Sequence, residues 1–323
     1  MQKTLPYKTN QFLIVLLKIS IVVGAFYFIY HRLTTNNQLD FKVFSEFLSE
    51  NKVFSAKNTL FLFLLSAFNW IFEILKWKDL VSVFKKISFK EGLQQTLGSL
   101  TASIFTPNRI GEYGAKAICY SSDLRKKIVL LNFLGNSMQM LVTTILGLIG
   151  LYVLTTTYPL DINYHKTARF LIGLLVISSL VFFGWKKKNL TIKGLSIEKL
   201  VLFFRKIPFK QYLTCLNFSL LRYFIFSFQF YLLLQLFGIE ISYSNAMTII
   251  TSMYLLASVV PSIFIFDVVI KGSVAVYLFS LVGLNEFTIL SVVTCMWLLN
   301  FVLPSILGAV FVLNFKPPKS LVS

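Results

Sequence analysis

The sequence predicts an all-α polytopic membrane protein, with about six transmembrane helices and two re-entrant helical hairpins forming an inverted repeat. Three observations carry this expectation. The 323 residues are 56% hydrophobic and only 14% charged, with a mean hydropathy of +0.74, so most of the chain cannot be water-exposed surface. Six apolar segments approach the roughly 20 helical residues that a hydrocarbon core of about 30 Å requires. Two more apolar regions are each cut near the middle by a proline and an acid.

In chain order, 12–30 reads as a retained first span, because no small-residue cleavage motif follows it. Lys18, roughly 9 Å from its inner end, is within snorkelling reach of the interface. The outer loop 31–58 contains DFKVFSEFLSENKVF, either an interfacial amphipathic helix or a solvated connector. Segment 59–77 is the second span. Region 92–120 is the first hairpin, since its arm from Gly92 to Phe105 makes only about 21 Å of helix, too short for an ordinary crossing. Segments 128–154 and 169–185 are spans, and Lys186–Lys210 combines KKK with SIEKLVLFFRK as a cytoplasmic interfacial stretch on anionic lipid. Span 212–237, the second hairpin 245–283 and span 287–314 complete a single integral membrane domain over 1–323, with halves at 1–155 and 169–323.

A net charge of +18 could point to nucleic acid, but the 31 Lys and Arg lie mainly in short loops rather than on one helical face. An anionic membrane surface is the expected partner, and no nucleic acid. With the N-terminus inside, twenty basic residues fall in cytoplasmic segments, Lys76–Lys90 among them, and six outside. That bias places both termini in the cytoplasm at the inner membrane. Cys119, Cys215 and Cys295 are far apart in apolar sequence, and His31 and His165 are the only histidines. Neither a disulfide framework nor a metal centre is expected, and no cofactor.

The hairpins align with each other. LTASIFTPNRIGEYGAKA from Leu100 matches LLASVVPSIFIFDVVIKG from Leu255 at a constant offset of 155, pairing Glu112 with Asp267 and Lys116 with Lys271, while Pro107 and Pro261 slip by one. One hairpin opens to the cytoplasm and the other outward, the arrangement of alternating-access carriers.

An ionisable group at mid-membrane costs about 2.5–3.5 kcal/mol, so Glu112, Lys116, Asp267 and Lys271 together cost on the order of 10 kcal/mol before pairing. Each acid precedes its lysine by four residues, which puts the pair on one helical face. These pairs either neutralise themselves or line a polar cavity. Thr106 with Pro107 reads as the start of a helix whose free amides, beside Arg109, would favour an anion; alternatively Arg109 pairs with Glu112, leaving Lys116 to reach the interface. Gly111 and Gly114 leave room for a head group or another backbone. Glu73 and Arg222 either bridge the two halves or find separate partners in Lys76 and backbone carbonyls. Asn69, Asn132, Asn136, Gln139, Asn217 and Gln229 read as interhelical hydrogen-bonding residues.

TPNRIGE, Thr106–Glu112, resembles the Pro-Gly-x-Gly/Arg-aliphatic-Gly-Glu signature of the flippase-like membrane family named after the transmembrane region of lysylphosphatidylglycerol synthase. VPSIFIFDVVIKGSVA resembles that family's second-half motif, with Asp267 where Glu is common and an apolar SIFIF where Gly is common. The resemblance spans essentially the whole chain. It implies movement of a charged or glycosylated lipid, an anionic phospholipid or a polyprenyl-linked lipid, between leaflets, with the Arg109–Glu112 and Asp267–Lys271 regions facing the cavity. It extends to the membrane region and not to the soluble aminoacyl-transfer domain, so a non-enzymatic role is expected. A homo-oligomer and enzymes of lipid biosynthesis are candidate partners, and an accessory subunit of an envelope-lipid pathway is the alternative function.

Overall fold

The computed structural model describes residues 55–104, 106, 109–158, 197–259 and 264–315, with isolated helical positions in the N-terminal region. Every regular element among them is helical. They fall into two compact units, one formed by Met1–Leu154 with Thr214–Ser323 and the other by Thr155–Leu213.

The larger unit begins with α1, Ala56–Val81, whose N-cap Ser55 accepts from the Asn58 amide at 3.2 Å. Among the described residues four helices are long and apolar enough to cross a membrane. They are α1, Ser122–Thr157 (α4), Phe209–Leu236 (α6) and the composite Glu286–Leu313. The first two contain the expected spans 59–77 and 128–154 and extend at least three residues beyond them at each end, and the other two cover all but the last residue of 212–237 and 287–314. The extra turns are polar sequence such as KWKDL and SDLRKK, which helix propensity accepts although hydropathy does not. Expected span 169–185 and almost all of 12–30 lie outside the described residues.

These spans are apolar outside and polar within. Leu60, Phe61, Leu64 and Phe68 of α1 and Leu141, Ile145, Leu148 and Tyr152 of α4 are exposed, whereas Ser66, Asn69, Glu73 and Lys76 are buried. The buried polar positions of α1 recur at alternating spacings of three and four residues, a single helical stripe. Lys76, which the charge count assigned to a cytoplasmic loop, is 2% exposed and belongs to this stripe. The loop reading fails because α1 continues to Val81 and holds Lys76 on its buried face.

After α1, a short turn leads to α2, Phe89–Ala102. Ser88 and Glu91 form a capping box: the Ser88 amide donates to Glu91 Oε2 at 2.7 Å and the Glu91 amide to Ser88 Oγ at 3.2 Å. The Ser88 amide, and then its hydroxyl, hold the exposed Glu91 carboxyl below its ordinary range. A depressed carboxyl pKa contributes stability that is present above the unfolded-chain value of about 4.3 and is lost as pH falls through the folded value. Ser88→Ala should therefore cost about 1 kcal/mol at pH 7. In thermal melts of detergent-purified protein, the difference from wild type should shrink as the pH is lowered below that value.

The expected first hairpin, 92–120, is a helix–break–helix: α2 ends at Ala102, and after the break the two-turn α3 runs Gly111–Ala117 and packs back against α2. In the second, 245–283, α7 spans Tyr243–Val259 and α8 spans Phe264–Ser280, again in contact. The two are unequal, because α7 and α8 have 17 residues each against 7 in α3. Arms of about 25 Å are near spanning length, so the short-arm argument that identified the first hairpin does not carry to the second. Pro107 and Pro261 lie outside the described residues.

The composite span consists of α9 (Glu286–Trp297), a five-residue π-helical segment (Leu298–Val302) and α10 (Leu303–Leu313). Small residues set the closest packings. A Cβ at Gly147 or Gly150 of α4 would run into Leu255 or Thr251 of α7, and one at Gly308 of α10 would strike the Leu97 carbonyl and Thr101 Oγ1 of α2. Thr101 Oγ1 also donates to the Ser305 carbonyl at 2.8 Å, so α2 and α10 run antiparallel in near backbone contact. Because the obstacle at Gly308 is backbone, no side-chain rotation relieves it. Gly308→Val should cost 3 kcal/mol or more, roughly the upper end of overpacking effects, read as lost monodisperse protein on size exclusion.

In the smaller unit, α5 spans Ile197–Arg205. There Tyr212 Oη donates to the Phe204 carbonyl at 2.7 Å, and Phe203 and Phe204 meet edge to face.

Candidate functional site

The buried polar side chains of α1, α3, α4, α6 and the π segment meet in one network. α1 and α6 supply its centre and run antiparallel, since Arg222 faces Asn69 and Glu73 while Gln229, two turns further along α6, faces Leu62 and Ser66. Glu73 accepts from Arg222 Nη1 and lies 2.7 Å from Lys76 Nζ, so one carboxylate sits between two cations. The Arg222 guanidinium is shared further. Its Nε donates to the Asn69 carbonyl at 3.2 Å and to Asn69 Oδ1 at 3.1 Å, and its Nη1 approaches Gln139 Oε1 of α4 at 3.3 Å. Both sequence readings of this pair hold together: Glu73 and Arg222 join two distant spans, Glu73 also pairs with Lys76, and Arg222 also donates to a backbone carbonyl, that of Asn69.

The π segment presents Asn300 to the same seam. Asn300 Oδ1 accepts from Asn69 Nδ2 at 3.1 Å, its Nδ2 donates to Gln229 Oε1 at 2.7 Å, and its carbonyl accepts from Trp70 Nε1 at 3.2 Å. A π turn displaces the local backbone register, which lets one residue serve three partners on two other helices.

A second carboxylate, Glu112 on α3, is also held between two cations. Its Oε2 lies 2.9 Å from Arg109 Nη2 and its Oε1 2.7 Å from Lys116 Nζ. Lys116 is 1% exposed; it donates on to Asn132 Oδ1 of α4 at 2.8 Å and lies over the Trp77 ring at 4.3 Å. Lys116 therefore does not reach the interface. Trp77 in turn donates to Gln95 Oε1 at 2.8 Å, which also accepts from Tyr120 Oη at 2.7 Å, tying α1, α2 and the end of the first hairpin together. Asn136 of α4 donates to Tyr113 Oη at 3.1 Å. The two carboxylate clusters are electrostatic neighbours, Lys116 acting on Glu73 and Glu73 on Glu112.

Several expectations change. α3 starts at Gly111, not after Thr106, and the first amide of that helix is not free, since the Gly111 N–H donates to Thr106 Oγ1 at 2.8 Å. The break is sharper than a capped start: Arg109 has φ +57°, a left-handed conformation uncommon for any residue but glycine. Gly111 is needed there, because a Cβ would sit 2.8 Å from Thr106 Cγ2 and 3.2 Å from Ser103 Cα. Gly114 has no such neighbour, a Cβ there meeting nothing within 4 Å. Asp267 and Lys271 share α8, but the Asp267 side chain lies outside the described residues; Lys271 is half-buried. Among the described residues the structure thus assembles Arg109, Glu112, Lys116, Glu73 and Arg222.

The reading from sequence missed Gln95, Trp77 and Asn300 and miscounted Lys76. A signal existed for Lys76, three residues after Glu73 and last in the helical stripe that starts at Ser66. Asn300 carries none, because its role depends on the π turn. Asn69, Asn132, Asn136, Gln139 and Gln229 make the interhelical hydrogen bonds expected of them.

Helices with apolar outer faces and charged, hydrogen-bonded seams define an integral membrane protein with a polar interior. The chain belongs to the lysylphosphatidylglycerol synthase TM region family, whose model matches residues 15–308. No curated protein and no solved structure matches it.

Proposed function

We propose that the protein is a flippase-like lipid carrier, passing an anionic, aminoacylated or glycosylated head group between leaflets along its polar interior while the acyl chains stay in lipid. The observation that carries this reading is the pair of buried carboxylate clusters around Glu73 and Glu112, joined to the family membership. Charges this costly to insert persist where they handle a polar substrate. In this reading six spans and two re-entrant hairpins form an inverted repeat, both termini are cytoplasmic at the inner membrane, and Arg109 and Lys116 meet the head group. Asp267 and Lys271 serve the other half. The partners are membrane lipids, anionic or polyprenyl-linked, with a second copy or lipid-synthesising enzymes alongside, and no covalent chemistry is assigned.

Reconstitution with fluorescent phospholipids tests it. Wild type should accelerate leaflet exchange, and Arg109→Gln, which leaves the Glu112–Lys116 pair in place, should slow it about tenfold or more without loss of folded protein. A second reading, a non-catalytic accessory subunit of an envelope-lipid pathway, is favoured by the fact that both carboxylates already hold two cations each. On that reading neither protein accelerates exchange. A swap of Glu112 and Lys116 does not separate the two readings, since it would set a lysine against Arg109 and a carboxylate against the Trp77 ring and Asn132 Oδ1.

A further inference from the structure

We infer that the π segment Leu298–Val302 is a hinge in the last span, latched by Asn69, Trp70 and Gln229, about which α9, together with α8, swings against α10. The first argument is how the segment arises. Pro304 has no N–H, so it cannot give the α-helical hydrogen bond to the carbonyl four residues earlier, and its ring crowds that carbonyl. The carbonyl is that of Asn300. A proline interrupts a helix without dictating how; here the interruption is a π turn, closed by the Leu303 amide on the Leu298 carbonyl, five residues back. The Asn300 carbonyl takes a donor from another helix instead, Trp70 Nε1 at 3.2 Å. A bond that would stiffen the span along its own axis is thus replaced by one across to α1.

The second argument is what lies on either side. Directly after the proline, α10 is fixed to α2: the Ser305 carbonyl accepts from Thr101 Oγ1 at 2.8 Å, and Gly308 leaves no room for a Cβ against the Leu97 carbonyl. Before the π segment, α9 packs on α8, where a Cβ at Gly272 would meet Leu290 Cδ2 at 3.1 Å. The two parts of the span therefore belong to different packed blocks, and the residues joining them carry the displaced hydrogen-bond pattern. Hinge rotation concentrates in such short element-terminal stretches. The latch is the Asn300 side chain, which accepts from Asn69 Nδ2 at 3.1 Å and donates to Gln229 Oε1 at 2.7 Å. Asn69 Oδ1 also accepts from Arg222 Nε at 3.1 Å. A rearrangement of the Glu73–Arg222 pair thus reaches the hinge through one side chain.

The hinge does not rest on the carrier reading above. Nitroxide labels are placed on cysteines introduced at Gln94 of α2, Val310 of α10 and Glu286 of α9, all exposed, with Cys119→Ser in the background because the other two native cysteines are buried. In detergent-purified full-length protein, the pair Gln94–Val310, within one block, should give a single narrow distance. The pair Gln94–Glu286, across the hinge, should give two. Trp70→Phe keeps a ring and removes the indole N–H, and should raise the second population about fivefold to tenfold, the worth of one net hydrogen bond. Pro304→Ala restores an N–H four residues after Asn300 and should lower that population by a similar factor while folding at least as well as wild type. Amide exchange reads the same hinge without labels: residues 298–303 should exchange faster than the interior of α10, and Pro304→Ala should slow them. A single Gln94–Glu286 distance, the same in wild type and Pro304→Ala, overturns the hinge, as does exchange over 298–303 no faster than in α10. Leaflet exchange is measured in parallel. Two distances without leaflet exchange keep the hinge and remove the carrier reading; leaflet exchange with one distance does the reverse.

Discussion

Glu73→Ala is expected to cost about 3–5 kcal/mol, enough to abolish recovery of monodisperse protein from detergent extraction. The loss is not that of an attraction alone. Glu73 is the carboxylate against both Arg222 and Lys76, and Lys76 is 2% exposed, so its removal strands two cations in the seam, one of them fully buried. Arg222 would keep Asn69 and Gln139, neutral acceptors that do not balance its charge. The ordering within a small series checks this account. Arg222→Met leaves Glu73 with Lys76 and should be milder, and Glu73→Gln combined with Lys76→Met removes one charge of each sign and should recover much of the stability. Apparent melting temperatures of the three variants in one detergent give the comparison, and a Glu73→Ala protein as stable as wild type would mean that the seam is hydrated.

What the sequence made legible follows from what hydropathy and helical spacing report. Long apolar runs identified four spans that the described residues contain, because lipid-facing positions such as Phe61, Leu148 and Leu307 must be apolar whatever the interior does. The interruption at Pro107 marked a helix break, and the Glu112–Lys116 spacing gave an ion pair now seen at 2.7 Å. Tertiary geometry was not legible. Arg109 takes a left-handed conformation that only glycine would have advertised, and Lys76 looked like a loop charge because charge counts ignore which face of a helix a residue occupies. Asn300 reaches Asn69, Gln229 and Trp70 only through a π turn, and no composition rule marks one. A 14-residue helix is short for a crossing, whereas 17-residue helices sit at its lower limit, so length bears on the first interrupted region and not on the second.

Glu112→Gln and Lys116→Met should differ sharply although they break the same ion pair. Removing Lys116 leaves Glu112 with Arg109 at 2.9 Å, a paired carboxylate beside a side chain 37% exposed, and methionine fills the space over Trp77. That change should cost about 1–2 kcal/mol. Removing the Glu112 charge instead leaves Lys116, 1% exposed, with neutral partners alone, the substituted amide oxygen, Asn132 Oδ1 and the Trp77 ring, while Arg109 can turn to solvent. The stranded ammonium should cost about 3–5 kcal/mol, visible as a much larger drop in melting temperature and as partial rescue by Asn132→Asp, which returns a carboxylate to Lys116. Because Lys116 also acts on Glu73, the Glu112→Gln and Glu73→Ala losses should not add in a double mutant. Strict additivity would mean two independent pairs rather than one coupled seam.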